Sequence, residues 1–230
     1  MDLFDNKNII LESNLDGKGM QNDESQNPFL AKAKEAFCLI KYKDKSGTGF
    51  FYDISGVTFL ITNNHVYPQK YELTEKSLDI TINGKPITIN LEDGRGKWTN
   101  SEMDFTCIEI KKEDNIKTPI SLCDNILKSN YSNKDYLNKN VTTYALNNND
   151  MYKLYYSYGY IKESDDYLFA HTCNTYPGCS GGCIVIQNNN SVIGIRKGGH
   201  KNGKVNIGIF INDVIEDIKN QVNHSSYNLL

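Results

Sequence analysis

Ser180 lies within Gly178-Cys179-Ser180-Gly181-Gly182, directly before the apolar run Cys183-Ile184-Val185-Ile186. A tight turn needs one or two glycines, and this segment places three around a single hydroxyl. Gly178 lets the backbone turn so that its own N–H and that of Ser180 converge on one point, the arrangement of an oxyanion hole. A serine hydroxyl is a poor nucleophile until an imidazole takes its proton. A carboxylate must then hold that imidazole in one tautomer and stabilise its positive form. The segment Phe59-Leu60-Ile61-Thr62-Asn63-Asn64-His65-Val66 delivers His65 at the tip of an apolar strand, and Asp104 heads the apolar run Phe105–Ile110. Singly, a His at a strand end commonly serves packing and an Asp at a strand entry commonly caps a turn. Together, in the order His, Asp, Ser, they predict acyl-transfer chemistry with His65, Asp104 and Ser180 as catalytic residues.

These residues need strands to hold them, and the pattern is strand after short strand. Phe37–Tyr42, Gly49–Ile54 and Thr58–Thr62 are apolar or β-branched, with turns expected at Lys45-Ser46-Gly47 and Ser55-Gly56. Leu78–Ile82 and Ile87–Leu91 flank Asn83-Gly84, a strong hairpin signal. A second series follows at Val141–Leu146, Leu154–Ile161, Tyr167–Cys173, Gly182–Ile186, Val192–Ile195 and Val205–Ile211. Asn27-Pro28 opens a short helix with Phe29, Ala33, Ala36 and Phe37 on one face. A last helix carries Ile211, Val214, Ile215, Ile218 and Val222 on one stripe, with Asp213 and Glu216 as a capping box. The expected fold is all-β, two antiparallel six-stranded barrels. Residues 1–26 read as a flexible tail, 27–115 as the first barrel with its leading helix and 116–139 as a linker. The second barrel spans 140–211, and 212–230 form the terminal helix and tail.

Composition narrows the function classes. The chain has 230 residues, 39% hydrophobic, with a net charge of −3. That suffices for a core and offers no basic cluster, so no nucleic-acid partner is expected. No apolar run reaches the ~18 residues of a membrane span, and Met1-Asp2-Leu3-Phe4-Asp5 lacks a secretory pattern, so a cytoplasmic location is expected. The cysteines at 38, 107, 123, 173, 179 and 183 form no Cys-x-x-Cys pair and read as thiols. The histidines at 65, 171, 200 and 224 are scattered, so neither a metal nor another cofactor is expected. Of 25 basic residues only Arg95 and Arg196 are arginine.

Thr62-Asn63-Asn64-His65-Val66, Asp104-Phe105-Thr106-Cys107-Ile108 and Gly178-Cys179-Ser180-Gly181-Gly182 resemble the three catalytic signatures of trypsin-like serine proteases. Val192-Ile193-Gly194-Ile195-Arg196-Lys197-Gly198-Gly199 is similar to the strand that, in that family, lines the primary pocket and pairs with the substrate backbone. The likeness spans roughly residues 36–220 and is nearest to the compact, glutamyl-endopeptidase-like branch. It implies an oxyanion hole from Gly178 and Ser180, and substrate contacts from Asn174, Thr175, Arg196, Gly198 and Gly199. Three positions depart from the family. Cys179 replaces the Asp that pairs with a cleaved N-terminus in trypsin zymogens, Arg196 stands where glutamyl-specific relatives carry His, and Pro177 edges the oxyanion turn. Viral relatives use a Cys nucleophile in a Gly-x-Cys-Gly turn, but Pro177 breaks that spacing for Cys179, so Ser180 is the expected nucleophile.

The resemblance implies an intracellular serine endopeptidase with protein or peptide substrates. Arg196 either borders the pocket, favouring an acidic residue before the cleaved bond, or points to solvent or a nearby carboxylate. The alternative is a catalytically silent trypsin-fold binding module. An α/β-hydrolase esterase is excluded, because it needs Ser before Asp and His and a helix after the Ser.

Overall fold

The computed structural model describes residues 3–10, 15, 19–54, 56–68, 75–92, 94–116, 132–147, 150–188 and 190–227. In chain order its elements are β1 (Ile9–Ile10), α1 (Pro28–Ala33), β2 (Phe37–Tyr42), β3 (Lys45–Ile54), β4 (Val57–Thr62), β5 (Ser77–Ile82), β6 (Lys85–Asn90), β7 (Lys97–Asn100) and β8 (Phe105–Glu109). The second half holds β9 (Asn140–Asn147), β10 (Asp150–Asp165), β11 (Leu168–His171), β12 (Cys183–Ile186), β13 (Val192–His200), β14 (Asn206–Phe210) and α2 (Ile211–Tyr227).

The first sheet has the antiparallel order β6-β5-β2-β3-β4-β8-β7. Asn83 and Gly84 join β5 to β6 with positive φ (46° and 78°), as a two-residue hairpin turn requires. The β2–β3 turn falls at Lys43-Asp44, with Lys43 at φ 55°, and not at the expected Lys45-Ser46-Gly47. Those three residues extend β3, with Lys45 opposite Tyr42. The sheet curls as a half-barrel with β6 and β7 at its edges, and it has seven strands, one more than expected. Its two faces bury different clusters: Phe37, Phe50, Ile61 and Phe105 on one side, Ile40, Phe51, Leu60 and Ile108 on the other.

The second sheet closes. Strands β9, β10, β11, β14, β13 and β12 form a ring, because β13 pairs with both β12 and β14. Tyr144, Tyr156, Phe169, Ile184, Ile195, Ile207 and Ile209 fill its interior side and the interface beside it. The chain is therefore all-β in two antiparallel sheets, with α2 packed through Val214, Ile215 and Ile218. Val222, one turn farther along the stripe, is 41% exposed. Helix α2 starts at Ile211, so Asp213 lies inside the first turn and is not its cap. Its carboxylate accepts from Asn133 Nδ2 (3.1 Å). At α1 the Asn27 side chain likewise makes no cap and donates instead to Tyr144 Oη (2.8 Å); Ala36 and Phe37 lie beyond the helix.

Residues 117–131 of the expected linker, and Cys123 with them, lie outside the described residues. Cys38, Cys107, Cys173, Cys179 and Cys183 are buried free thiols. Among the described residues no helix is long and apolar enough to cross a membrane.

His171 at the end of β11 is fully buried, and its Nδ1 accepts the Cys173 N–H (3.3 Å). Burial, reinforced by the Arg196 guanidinium, lowers its pKa from 6.5 to about 3. Between those values the unfolded chain binds a proton that the folded one refuses. The stability contribution is thus complete above about pH 6.5 and is lost as pH falls toward 3. In His171→Asn, whose amide oxygen can still take the Cys173 N–H, unfolding free energy should vary less with pH between about 4 and 6 than in the parent. Parallel pH profiles in urea titrations would show that His171 is not the source.

Candidate active site

The end of β4 folds into a tight turn in which the Val66 and Tyr67 N–H groups donate to Asn63 O (3.2 and 3.1 Å). That turn carries His65 out of the sheet. Asp104 precedes β8 with φ 71°, a left-handed conformation that Asp tolerates better than most side chains. The result is a two-point grip. The His65 N–H donates to Asp104 Oδ1 and His65 Nδ1–H to Asp104 Oδ2, each at 2.8 Å. Asn63 Nδ2 donates to the Asp104 carbonyl (3.0 Å), tying the two turns a second time. With Nδ1 carrying the hydrogen, Nε2 is left as the basic nitrogen, the tautomer a general base needs. Nε2 is covered and has no hydrogen-bond partner among the described residues.

Ser180 comes from the other sheet, in the turn before β12. Gly178 and Gly181 take φ of 91° and 81°. A Cβ on Gly181 would lie 2.1 Å from Thr48 O, so no side chain fits there. Arg196 on β13 accepts the Gly181 N–H at its carbonyl (3.0 Å) and donates its own N–H to Gly182 O (2.8 Å). Neither the Gly178 nor the Ser180 N–H meets a backbone acceptor among the described residues.

Thr48, which the sequence reading passes over, holds this turn against the first sheet. Its N–H donates to Ser180 O (2.8 Å), and its Oγ1 donates to Gly178 O (3.0 Å) while accepting the Leu146 N–H (3.0 Å). Thr62 Oγ1 donates to Thr48 O (2.8 Å), so β4, β3, the Ser180 turn and β9 are joined through one fully buried residue.

Arg196 is fully buried and does not point to solvent. Its Nη1 donates to Ser180 Oγ and its Nη2 to Thr175 Oγ1, both at 3.0 Å. Thr175 Oγ1 is also 3.3 Å from Asn206 Oδ1, to which its single hydrogen is directed. Asn174 Oδ1 accepts the Leu15 N–H (2.7 Å). Gly198 and Gly199 lie on the exit of β13, just after a register shift between Arg196 and Gly198. Lys197, inside that shift, is mostly buried; burial lowers its pKa while the nearby Asp104 carboxylate opposes the fall. Cys179 is buried, with its Sγ set against Met20 Sδ (3.3 Å) and the Tyr176 N–H (3.3 Å). A separate cavity of about 490 Å³, lined by Asn27, Phe29, Tyr144 and Tyr158 among others, includes none of these residues.

Thr48→Val keeps the shape of the side chain and strands the Gly178 carbonyl and the Leu146 N–H. Each stranded group costs about 1–3 kcal/mol, so urea unfolding should show a clear loss of stability, with Thr48→Ser close to the parent. Equal stability of the valine variant would remove Thr48 from this role.

No protein-family description matches the sequence, and no curated protein does. Solved structures do match. A Glu endopeptidase in complex with MPD aligns over 90% of this chain and 98% of its own, with TM-score 0.65 at 16% identity. The active form of the Rv3671c protease from M. tuberculosis aligns over 92% and 89%, with TM-score 0.62 at 15% identity. The serine protease domain of the Sesbania mosaic virus polyprotein aligns over 78% and 90%, with TM-score 0.55 at 19% identity. The curled half-barrel, the closed six-stranded barrel and the terminal helix are those of the chymotrypsin-like fold.

Proposed function

We propose that the protein is a serine endopeptidase, with Ser180 as nucleophile, His65 as general base and Asp104 as the group that orients it. The observation that carries this reading is the paired Asp104–His65 contact, which leaves Nε2 as the basic nitrogen in a chymotrypsin-like fold. In the reaction, Ser180 Oγ attacks the peptide carbonyl as His65 Nε2 takes its proton. The Gly178 and Ser180 N–H groups receive the developing oxyanion, and His65 returns the proton to the leaving amine. Water, activated by the same imidazole, then releases the acyl group. The Arg196 bond to Ser180 Oγ is compatible with this, because it uses a lone pair and leaves the hydroxyl hydrogen for His65.

A catalytically silent, peptide-binding member of the fold is the second reading. In its favour, Ser180 Oγ has its hydrogen bond to Arg196, while His65 Nε2 has no partner among the described residues. A fluorophosphonate probe separates the two. The parent should label at one site, and Ser180→Ala and His65→Ala should each reduce labelling by several orders of magnitude. An unlabelled parent, or a labelled Ser180→Ala, rejects the endopeptidase.

The same reading extends to specificity. The Arg196 guanidinium lies against both Ser180 and Thr175, and there it can meet an acidic side chain before the cleaved bond through charge-assisted hydrogen bonds. Such bonds contribute about 1.5–3 kcal/mol, or roughly ten- to a hundredfold in selectivity. Arg196→Gln should therefore lose that much more kcat/KM on a Glu substrate than on its Gln counterpart. Equal losses on both would reject the acidic preference.

A further inference from the structure

Strand β13 has two edges. One is taken by β14 from Gly194 to Gly199. The other is taken by β12 from Val192 to Ile195, and beyond that point by the chain's own β1, with Ile10 opposite Gly199 and Ile9 opposite His200. Described residues of the expected flexible tail also touch residues in and beside the site. Lys197 Nζ donates to Asn6 Oδ1 (3.0 Å) and the Lys201 N–H to Asn8 O (2.8 Å). The Leu15 N–H donates to Asn174 Oδ1 (2.7 Å). Met20 sits against Cys179, and Gln21 exchanges two backbone hydrogen bonds of 2.8 Å with Tyr156.

We infer that the leading segment, through its described residues Asn6–Ile10, Leu15 and Met20–Gln21, acts as a substrate-like peptide bound in cis, which holds the cleft closed to other peptides; this rests on the endopeptidase reading above. The described contacts fall on Lys197, Gly199 and Asn174, on or beside the residues expected to receive substrate, and the pairing is antiparallel. A strand edge offers its outward N–H and C=O groups to one neighbour at a time. An extended substrate on Gly199 must therefore displace Ile10. Gly198 shows how close the approach is: a Cβ there would stand 2.4 Å from Ile10 O and 2.8 Å from Ile9 Cγ2. The tether gives the segment an effective concentration of order mM, enough to outcompete weakly bound peptides. The paired strand itself is only two residues long, so the closed state is reversible.

The ladder identifies the bond to break. Because the Lys201 N–H bonds Asn8 O, Asn8 and Lys201 stand at a hydrogen-bonded position of the ladder, although the Asn8 N–H turns back to Asp5 O (2.8 Å). Bonded and non-bonded pairs alternate in an antiparallel ladder, so Ile10 and Gly199 form the next bonded pair. Ile10→Pro deletes its donor.

The experiment compares the full chain with Ile10→Pro and Ile9→Asp, using fluorophosphonate labelling and hydrolysis of an extended peptide. The probe is small and needs no strand pairing, so labelling rates should match in all three. Peptide kcat/KM should rise about tenfold or more in the variants, mainly through KM, which corresponds to about 1.4 kcal/mol of closure. A synthetic peptide of residues 5–21 should then inhibit Ile10→Pro competitively. Equal labelling with unchanged peptide kinetics, or a peptide that fails to compete, overturns the cis occupant. Absence of labelling in the parent and both variants overturns the endopeptidase reading instead.

Discussion

The site depends on one buried threonine. Nothing covalent connects the Ser180 turn to the sheet that carries His65 and Asp104 except a long stretch of chain, so their relative position must come from contacts across the interface. Thr48 supplies three of them, to Ser180 O, Gly178 O and the Leu146 N–H, while Thr62 fixes Thr48 from its own sheet. Hydrogen bonds in a buried interface are strong and directional, and leaving one partner unmet there is expensive. The contact thus sets both the distance between the sheets and the shape of the glycine turn. Gly181 belongs to the same constraint, since the Thr48 carbonyl occupies the space a side chain would need.

Charge is arranged around this frame in two layers. On the first sheet, Asp104 spends both carboxylate oxygens on His65, and its left-handed backbone is held by the bond from its own N–H to Asn100 O (2.9 Å). In the second barrel, the buried guanidinium of Arg196 spans Ser180 and Thr175, and its field reaches His171. Near Asp104 stands Lys197, where the carboxylate opposes the effect of its burial. The cations therefore stand close to the hydroxyl and the carboxylate, and buried His171 is kept neutral.

Much of this was legible in the residues. Asn83-Gly84 announces its hairpin because only a few residue types accept positive φ at both positions, and the apolar runs of β2, β4, β8, β9 and β12 fall within two residues of the expected bounds. His65, Asp104 and Ser180 stand out by chemistry, and the structure brings His65 and Asp104 into direct contact. Other features left no local signal. Thr48 looks like any strand threonine, since its role exists only once two sheets meet. Strand β7, Lys-Trp-Thr-Asn, is too short and polar to show a period of two, and Lys45-Ser46-Gly47 carries turn residues that pairing with β2 overrides. Ile9-Ile10 offers two apolar residues in a polar stretch, and only the free edge of β13 gives them a place.

That free edge has a consequence for how such a sequence can change. Asn6, Ile9, Ile10, Leu15 and Met20 lie far along the chain from Asn174, Cys179, Lys197 and Gly199, yet one ladder and several side-chain contacts join them. A substitution that reshapes Gly198 or Asn174 alters what the leading segment must fit, and a substitution at Ile9 or Ile10 alters how much of the edge stays covered. The two regions are therefore constrained jointly. On the proposed cis occupancy, the described residues of the leading segment trace the peptide backbone path that the cleft accommodates.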